Sequence, residues 1–202
     1  MKLFLVRHGE TDVNRILDHG VSGPMHEEPV TFKPGDDTNT PLNVSGRTHA
    51  REAGGELPDT IDKIYSSPLL RAKETAEIIA EMKKIDPSTI KFCNELIESY
   101  QGSLEGLTKE QEKEMLGGRS RGSRLLCNYD YTPWGGDSWK TIHDRVNSFF
   151  KELRSSDNDG NIVCVTSAGV IRMAYKIFFW EKSPGITKHI LVKNGSVHEF
   201  VI

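Results

Sequence analysis

An arginine and a histidine stand side by side near the start of this 202-residue chain, at the end of a short apolar run. The run at residues 2–6 reads KLFLV, and Arg7, His8 and Gly9 follow it directly. A guanidinium group matches the geometry of phosphate oxygens, and a neutral imidazole beside it can attack phosphorus and hold the phosphoryl group. Glycine lets a ligand or another backbone segment come close. These residues predict a site that binds a phosphate ester and accepts its phosphoryl group.

The pattern of apolar residues predicts the fold that positions this site. Buried strands are predicted at 2–6, 61–66 and 161–167, with a weaker one at 89–98. Helices are predicted at 45–57, at 67–84 with Ser67 as N-cap, from Asp137 or Ser138 to about 153, and at 170–180. This alternation predicts an α/β fold, a three-layer sandwich with a mostly parallel central sheet flanked by helices. The carboxyl end of a strand, where Arg7 and His8 stand, is where such sheets bind ligands.

Three further segments complete the predicted organisation of a single domain over residues 1–202. Asn194–Gly195 lies between two β-rich runs, which predicts a hairpin and an antiparallel edge strand. Residues 15–41 are rich in Gly, Pro, Asp, Asn and Thr and predict a long loop, a feature that is often functional in compact domains. Residues 103–134 are irregular and partly helical, and they predict a small cap.

Composition argues against several other classes of function. The formal net charge of −3 does not suit nucleic-acid binding, and no apolar run has the roughly 20 residues that a membrane span needs. The N-terminal apolar run is too short for a signal peptide and predicts a core strand. Three cysteines without metal-like spacing (Cys93, Cys127 and Cys164) predict a reducing, cytoplasmic location. We predict no metal and no cofactor, and nothing in the residues predicts an oligomeric state.

Six segments occur in an order and spacing that identify a family. They are RHGETDVN at 7–14, TPLNVSGRTHA at 40–50, YSSPLLRAKETAEII at 65–79, LIESYQGSLEGL at 96–107, GGDS at 135–138 and VTSAGVIR at 165–172. Together they resemble the signatures of the histidine phosphatase superfamily, the phosphoglycerate-mutase-like proteins. His49 stands where the family usually has glutamine, and Asp137 where it has glutamate.

The resemblance implies a role for each matching residue. His8 is the nucleophile that becomes phosphohistidine, and Arg7 and Arg71 bind the phosphoryl oxygens. Glu98 is the general acid, which the chemistry also requires because an alkoxide leaves poorly without a proton. Asn14, Thr11 and Gly169 are implied to contact the phosphate or the leaving group, whereas Glu10 is assigned a structural role. The implied reaction is the metal-independent hydrolysis of a small phosphorylated metabolite.

The resemblance also places the loop 15–41 and the cap 103–134 around the leaving group. The cap carries a basic cluster and three aromatic side chains, namely Arg119, Arg121, Arg124, Tyr129, Tyr131 and Trp134. The basic cluster suits either a second acidic group on the substrate or a solvated surface. Sugar phosphates, phosphoglycerate-like acids, nucleoside-type phosphates and phosphoserine all stay open as substrates.

Ala168 stands where the family has its second catalytic histidine. Alanine donates no hydrogen bond, and one preorganised donor is worth about 10²–10³ in rate, so the resemblance predicts impaired catalysis. Either the alanine is an engineered substitution that disables turnover or traps a ligand, or the chain is a natural pseudo-enzyme that binds phosphorylated ligands or partners. The intact remainder of the site favours the first explanation. A mutase-type phosphotransferase is a further alternative, although family mutases are typically longer.

Overall fold

The computed structural model describes residues 1–19, 39–105, 107, 109–122, 127–155, 160–179 and 190–202. The strands of the described part are β1 (Lys2–Arg7), β2 (Lys63–Ser66), β3 (Lys91–Phe92), β4 (Asn161–Thr166) and β5 (Val197–Val201). Its α-helices are α1 (Asp12–His19), α2 (Val44–Glu56), α3 (Leu70–Met82), α4 (Lys109–Leu116), α5 (Trp139–Ser155) and α6 (Ala168–Phe179). Short 3₁₀ turns lie at 87–89, 94–96, 102–104 and 132–134.

The strands form one sheet in the order β3-β2-β4-β1-β5. β1 runs parallel to β4, β4 to β2 and β2 to β3, whereas β5 pairs antiparallel with β1. β1 and β4 are almost continuously apolar because they lie in the middle of the sheet and are covered on both faces. The predicted α/β fold, mostly parallel with one antiparallel edge strand, is confirmed.

Helices cover both faces of the sheet and divide the core into two parts. Side chains alternate along a strand, so Leu3 and Leu5 of β1 face one side and Phe4 and Val6 face the other. Leu3 and Leu5 belong to the cluster that includes the apolar stripes of α5 and α6. Phe4 and Val6 belong to the cluster that includes those of α2 and α3. In the described part of the chain, no helix is long and apolar enough to span a membrane.

The hairpin predicted at Asn194–Gly195 is wrong, because the segment before the turn does not pair with β5. The turn is present, and Gly195 has the positive φ of 75° that such turns favour. However, 190–193 form no strand, and β5 pairs with β1 instead. The backbone N–H of Gly195 donates to the carbonyl of Arg7 at 3.1 Å, so the turn is attached to the end of β1. The Asn-Gly signal locates the turn but says nothing of which strand lies alongside.

Three predicted boundaries are also corrected. α1 occupies residues 12–19, so the loop predicted at 15–41 does not begin at 15; residues 20–38 lie outside the described part. Ser67 is not the N-cap of α3, because its N–H donates to Val165 O and extends the sheet, and the helix begins only at Leu70. The strand predicted at 89–98 is reduced to β3. Ser138 does cap α5, since its Oγ accepts the N–H of Thr141 at 3.1 Å.

Candidate active site

His8 lies immediately after β1, and its side chain is only 4% exposed. Its backbone N–H donates to Thr166 O at 2.9 Å, which continues the pairing of β1 with β4 beyond the strands. The ring nitrogen Nδ1 lies 2.8 Å from the carbonyl oxygen of Gly9, and Nε2 lies 3.2 Å from Nε of Arg71. A carbonyl only accepts and a guanidinium only donates, so the proton sits on Nδ1 and the lone pair on Nε2. The geometry therefore leaves the lone pair on Nε2, which faces Arg71.

The surroundings of His8 keep its imidazole neutral. Burial lowers the pKa of His8 well below 6.5, and the positive charges of Arg71 and Arg7 lower it further. The hydrogen bond to Gly9 and the charge of Glu98 act in the opposite direction but do not outweigh these effects. A neutral imidazole between two guanidinium groups suits attack on an anionic phosphate, since the cations attract the anion and the lone pair stays available.

Arg71 reaches this site from the first turn of α3 and is buried, at 4% exposure. Thr75, one turn further on, donates from Oγ1 to the carbonyl of Arg71 at 2.7 Å and accepts the N–H of Gly9 at 3.0 Å. This one hydroxyl therefore joins the start of α3 to the loop that carries His8. Thr75 was not among the predicted site residues, although its spacing of four from Arg71 on one helix indicates a shared face.

The loop after His8 crosses the first turn of α2, and each of these two segments has a glycine at the crossing point. A Cβ at Gly9 would overlap the backbone carbonyl of Gly46, and a Cβ at Gly46 would overlap the backbone of Glu10. Asn43 holds the same crossing, because its N–H donates to Glu10 O at 3.0 Å and its Nδ2 to the carboxylate at 2.9 Å. Glu10 therefore contacts Asn43, the N-cap of α2, through both its backbone carbonyl and its carboxylate.

Thr11 and Asn14 form a reciprocal cap on α1. Thr11 Oγ1 accepts the N–H of Asn14 at 3.1 Å, and Asn14 Oδ1 accepts the N–H of Thr11 at 3.3 Å. This is the arrangement of a capping box, with asparagine in place of the usual Glu or Gln. Thr11 is 1% exposed, so its hydroxyl is mainly a helix cap, whereas Asn14 is half-buried.

Glu98 is held against the N-terminus of α6. Its Oε1 accepts from the N–H and the Oγ of Ser99 at 2.8 and 3.2 Å, and its Oε2 accepts from the N–H of Gly169 at 3.1 Å. The preceding backbone is fixed as well, since Arg145 donates to Ile97 O and Thr166 Oγ1 donates to Leu96 O, both at 2.6 Å. The carboxylate is thus held by Ser99 and by the start of α6, and the backbone before it is held by α5 and β4.

Ala168 begins α6 at the same sheet edge as His8, because Arg7 pairs with Thr166 in the parallel ladder. Its methyl group is partly buried against the apolar core. Gly169, the next residue, has its N–H on Glu98, so the structure brings position 168 and Glu98 together at one helix start. The methyl group offers no donor to an anion.

The side chains of the predicted cap divide between the apolar core and the surface. Tyr129 and Tyr131 are 2% and 0% exposed and belong to the apolar core, so they do not line a substrate pocket. Arg121 forms an ion pair with Glu112 at 2.9 Å, and Arg119 is exposed. Trp134 packs partly buried against the core, and Arg124 lies outside the described residues.

Two cavities of the described part of the chain lie away from this site. Within the described residues, no group of three His, Cys, Asp or Glu side chains is arranged to hold a metal ion. Cavities of about 410 and 370 Å³ lie against α3 and beside β2 and β3, and neither is lined by His8 or Arg71. The candidate site is instead the place where His8, Arg71 and Glu98 come together, since these groups can act on a phosphate ester.

Comparisons with known proteins agree with the motifs. The sequence matches the histidine phosphatase superfamily (branch 1) over residues 3–202. It is 34% identical to a probable phosphatase of Schizosaccharomyces pombe, covering 100% of this chain and 87% of that protein. It is 28% identical to phosphoglycerate mutase-like protein 4 of Arabidopsis thaliana, covering 98% of this chain and 78% of the relative. A solved phosphoserine phosphatase of Entamoeba histolytica, in complex with 3-phosphoglyceric acid, superposes with a TM-score of 0.71 at 25% identity, covering 99% and 90% of the two chains.

Proposed function

We propose that this chain, which belongs to the histidine phosphatase superfamily, is a phosphomonoester phosphatase that acts through a phosphohistidine at His8 and is impaired by Ala168. The observation that carries the proposal is the state of His8, a buried neutral imidazole whose Nε2 faces the guanidinium of Arg71. An exposed or structural histidine would need neither the two neighbouring cations nor a tautomer that leaves Nε2 unprotonated.

The proposed first step is attack of His8 Nε2 on phosphorus. The bond from phosphorus to the leaving oxygen breaks, and the oxygen takes its proton from Glu98. Arg7 and Arg71 neutralise the charge on the phosphoryl oxygens, which is the largest contribution expected of fixed donors in such a reaction. Hydrogen bonding of Nδ1 to Gly9 stabilises the ring as its Nε2 becomes bonded to phosphorus.

In the proposed second step, Glu98 accepts a proton from water, and the water oxygen attacks phosphorus. The bond to Nε2 then breaks, which releases inorganic phosphate and returns His8 to its neutral form. The N–H and Oγ of Ser99 and the N–H of Gly169 all donate to Glu98, which suits a carboxylate that acts as a base. For the first step the carboxyl group must instead carry the proton.

The substrate class that we propose is a small phosphorylated metabolite. The relatives named as phosphatases and the neighbour that binds 3-phosphoglyceric acid support this class. A phosphotransferase of the mutase type is the second candidate, supported by the mutase-like relative from Arabidopsis. It would pass the phosphoryl group to an acceptor hydroxyl and not to water. A cytoplasmic location is proposed from the three cysteines, none of which is in a disulfide.

Steady-state kinetics on three proteins test the proposal: the chain as it stands, Ala168→His, and Ala168→His with His8→Ala. Substrates are an aryl phosphate and a panel of phosphorylated metabolites, in buffer with a chelator, with and without an acceptor alcohol. We expect Ala168→His to raise hydrolysis by about a hundredfold, following the worth of one preorganised donor, and the further His8→Ala change to abolish it.

Each alternative has its own outcome in this experiment. Equal rates for the chain as it stands and for Ala168→His would refute the impairment by Ala168. Release that depends on the acceptor would favour the phosphotransferase. No turnover on any substrate by Ala168→His, with phosphate binding retained, would favour a pseudo-enzyme.

A further inference from the structure

We propose that Asn194 is a positioning residue for the phosphate site and that it acts through the side-chain amide of Asn14. The inference rests on the proposed function, since it concerns how the same site holds its anion. Asn194 lies in the turn before β5, 180 residues from Asn14, and neither its type nor its place in the sequence indicates a role at the site.

The amide nitrogen of Asn194 faces three acceptors of the loop that follows β1. Nδ2 lies 3.1 Å from His8 O, 3.3 Å from Gly9 O and 3.0 Å from Oδ1 of Asn14. Two of these acceptors are backbone carbonyls, which cannot donate, so Asn194 must direct its NH₂ group toward the loop. The same Gly9 carbonyl accepts from His8 Nδ1, which links the Asn194 amide to the nucleophile's ring.

The orientation of the Asn14 amide follows from these contacts. Its Oδ1 lies between two donors, the N–H of Thr11 at 3.3 Å and Nδ2 of Asn194 at 3.0 Å. Rotating the amide by 180° would set its own NH₂ group against both donors. The two contacts therefore hold Oδ1 inward and leave the NH₂ group of Asn14 as the donor that can meet a bound anion.

The turn that carries Asn194 is itself tied to the site. Gly195 donates its N–H to the carbonyls of Arg7 and His8 at 3.1 and 3.3 Å, and Val192 O accepts from Arg7 NH1 at 2.8 Å. Ser196 Oγ closes the turn by donating to Lys193 O at 2.7 Å. A Cβ on Gly195 would approach His49 of α2 to 2.8 Å, so the turn also rests on that helix. Asn194 thus has a fixed base from which to orient Asn14.

A double-mutant cycle on phosphate affinity separates this role from a purely structural one. Inorganic phosphate is titrated by calorimetry into the full chain as it stands and into Asn194→Ala, Asn14→Ala and the double variant. We expect each single change to weaken phosphate binding by about tenfold, the loss expected for one donor to an anion. The double variant should bind as weakly as Asn14→Ala alone, because Asn194 acts only through Asn14.

Two controls keep the cycle interpretable. Ser196→Ala removes the contacts of Oγ with Lys193 O and with the ring of His198 but none with Asn14, so it should lower the unfolding midpoint yet leave phosphate affinity within about twofold. Asn194→Asp keeps the size of the side chain but replaces the donor by an acceptor, so it should weaken phosphate binding at least as much as Asn194→Ala. If Asn194→Ala does not fold, Asn194→Asp takes its place in the cycle on phosphate affinity.

The outcomes distinguish this inference from the proposed function. Independent effects of the two changes, or no effect of Asn14→Ala, would overturn the role of Asn194 while the phosphate site stands. Equal losses of affinity in Ser196→Ala and Asn194→Ala would show that turn stability alone matters, and would overturn it too. No phosphate binding by the unsubstituted chain, even at high millimolar concentration, would count against the proposed function itself.

Discussion

Acidification should destabilise the folded chain through His8. Burial, Arg71 and Arg7 lower the pKa of His8 well below 6.5 in the folded state, whereas in the unfolded chain it returns to about 6.5. Between these two values the unfolded chain binds a proton that the folded chain does not. The contribution of His8 is therefore fully present above about pH 6.5 and is lost as the pH falls toward the folded-state pKa.

The size of this effect follows from the proton count. One proton bound only by the unfolded state changes the free energy of unfolding by at most about 1.4 kcal/mol for each pH unit. Burial also lowers the pKa of His198, so a second histidine acts in the same direction. The change of unfolding free energy with pH, measured on the unsubstituted chain alone, therefore combines the contributions of two histidines. A difference between variants is needed to isolate the contribution of His8.

Urea unfolding of the chain and of His8→Gln, followed from pH 7.5 to 5.0 at constant ionic strength and without phosphate, provides that difference. We expect the free energy of unfolding to fall more steeply with acidification in the unsubstituted chain, by up to about 1.4 kcal/mol per pH unit. His198→Gln serves as the matched control, since it should retain the contribution of His8. Parallel curves for the chain and His8→Gln would refute the reasoning, because they would mean that folded His8 takes up its proton as readily as unfolded His8.

Two glycine substitutions give further predictions. Gly9→Ala should lower the free energy of unfolding by about 2–4 kcal/mol in urea titrations, because its Cβ meets the backbone of Gly46, which cannot move aside easily. Gly55→Ala on α2 is the control, because a Cβ there meets nothing within 4 Å, and it should raise the free energy of unfolding by up to about 1 kcal/mol. Equal losses of stability in the two variants would contradict the close contact between Gly9 and Gly46. Gly169→Ala, made in Ala168→His, should displace the carboxylate of Glu98, whose tip is flexible. We expect turnover to fall by about 10²-fold or more with a change in stability under about 1 kcal/mol, and unchanged kcat would exclude Glu98 as the acid.

Much of the fold could be predicted from sequence because its signals are local. The central strands β1 and β4 are apolar runs, and Ser138 has the side chain that a helix start needs. The partner of β5 could not be predicted in this way. An Asn-Gly pair fixes a turn through its own backbone preferences, but the strand beside β5 comes from the other end of the chain. Pairing over such a distance leaves no trace in a single short segment.

The same difference between local sequence signals and long-range contacts decides which parts of the candidate site could be predicted. His8, Arg71 and Glu98 lie in motifs that resemble the histidine phosphatase superfamily, and membership of that family is confirmed. The contacts of Thr75 and Asn194 with the site could not be predicted, because both residues bind backbone groups of the His8 loop, and backbone groups are the same in every residue. The burial of Tyr131 could not be predicted either, since a tyrosine in a polar segment indicates neither burial nor exposure by itself.

The position of Ala168 explains why binding and turnover should separate in this chain. Glu98 is held at α6 by the backbone N–H of Gly169, Arg71 by Thr75 and the imidazole of His8, and His8 by the carbonyl of Gly9. None of these contacts uses the side chain at 168. In the proposed mechanism, alanine there removes one donor to the transferring phosphoryl group but leaves the proposed cations, nucleophile and acid in place. Phosphate affinity and stability should therefore persist in a protein whose chemical step is slowed.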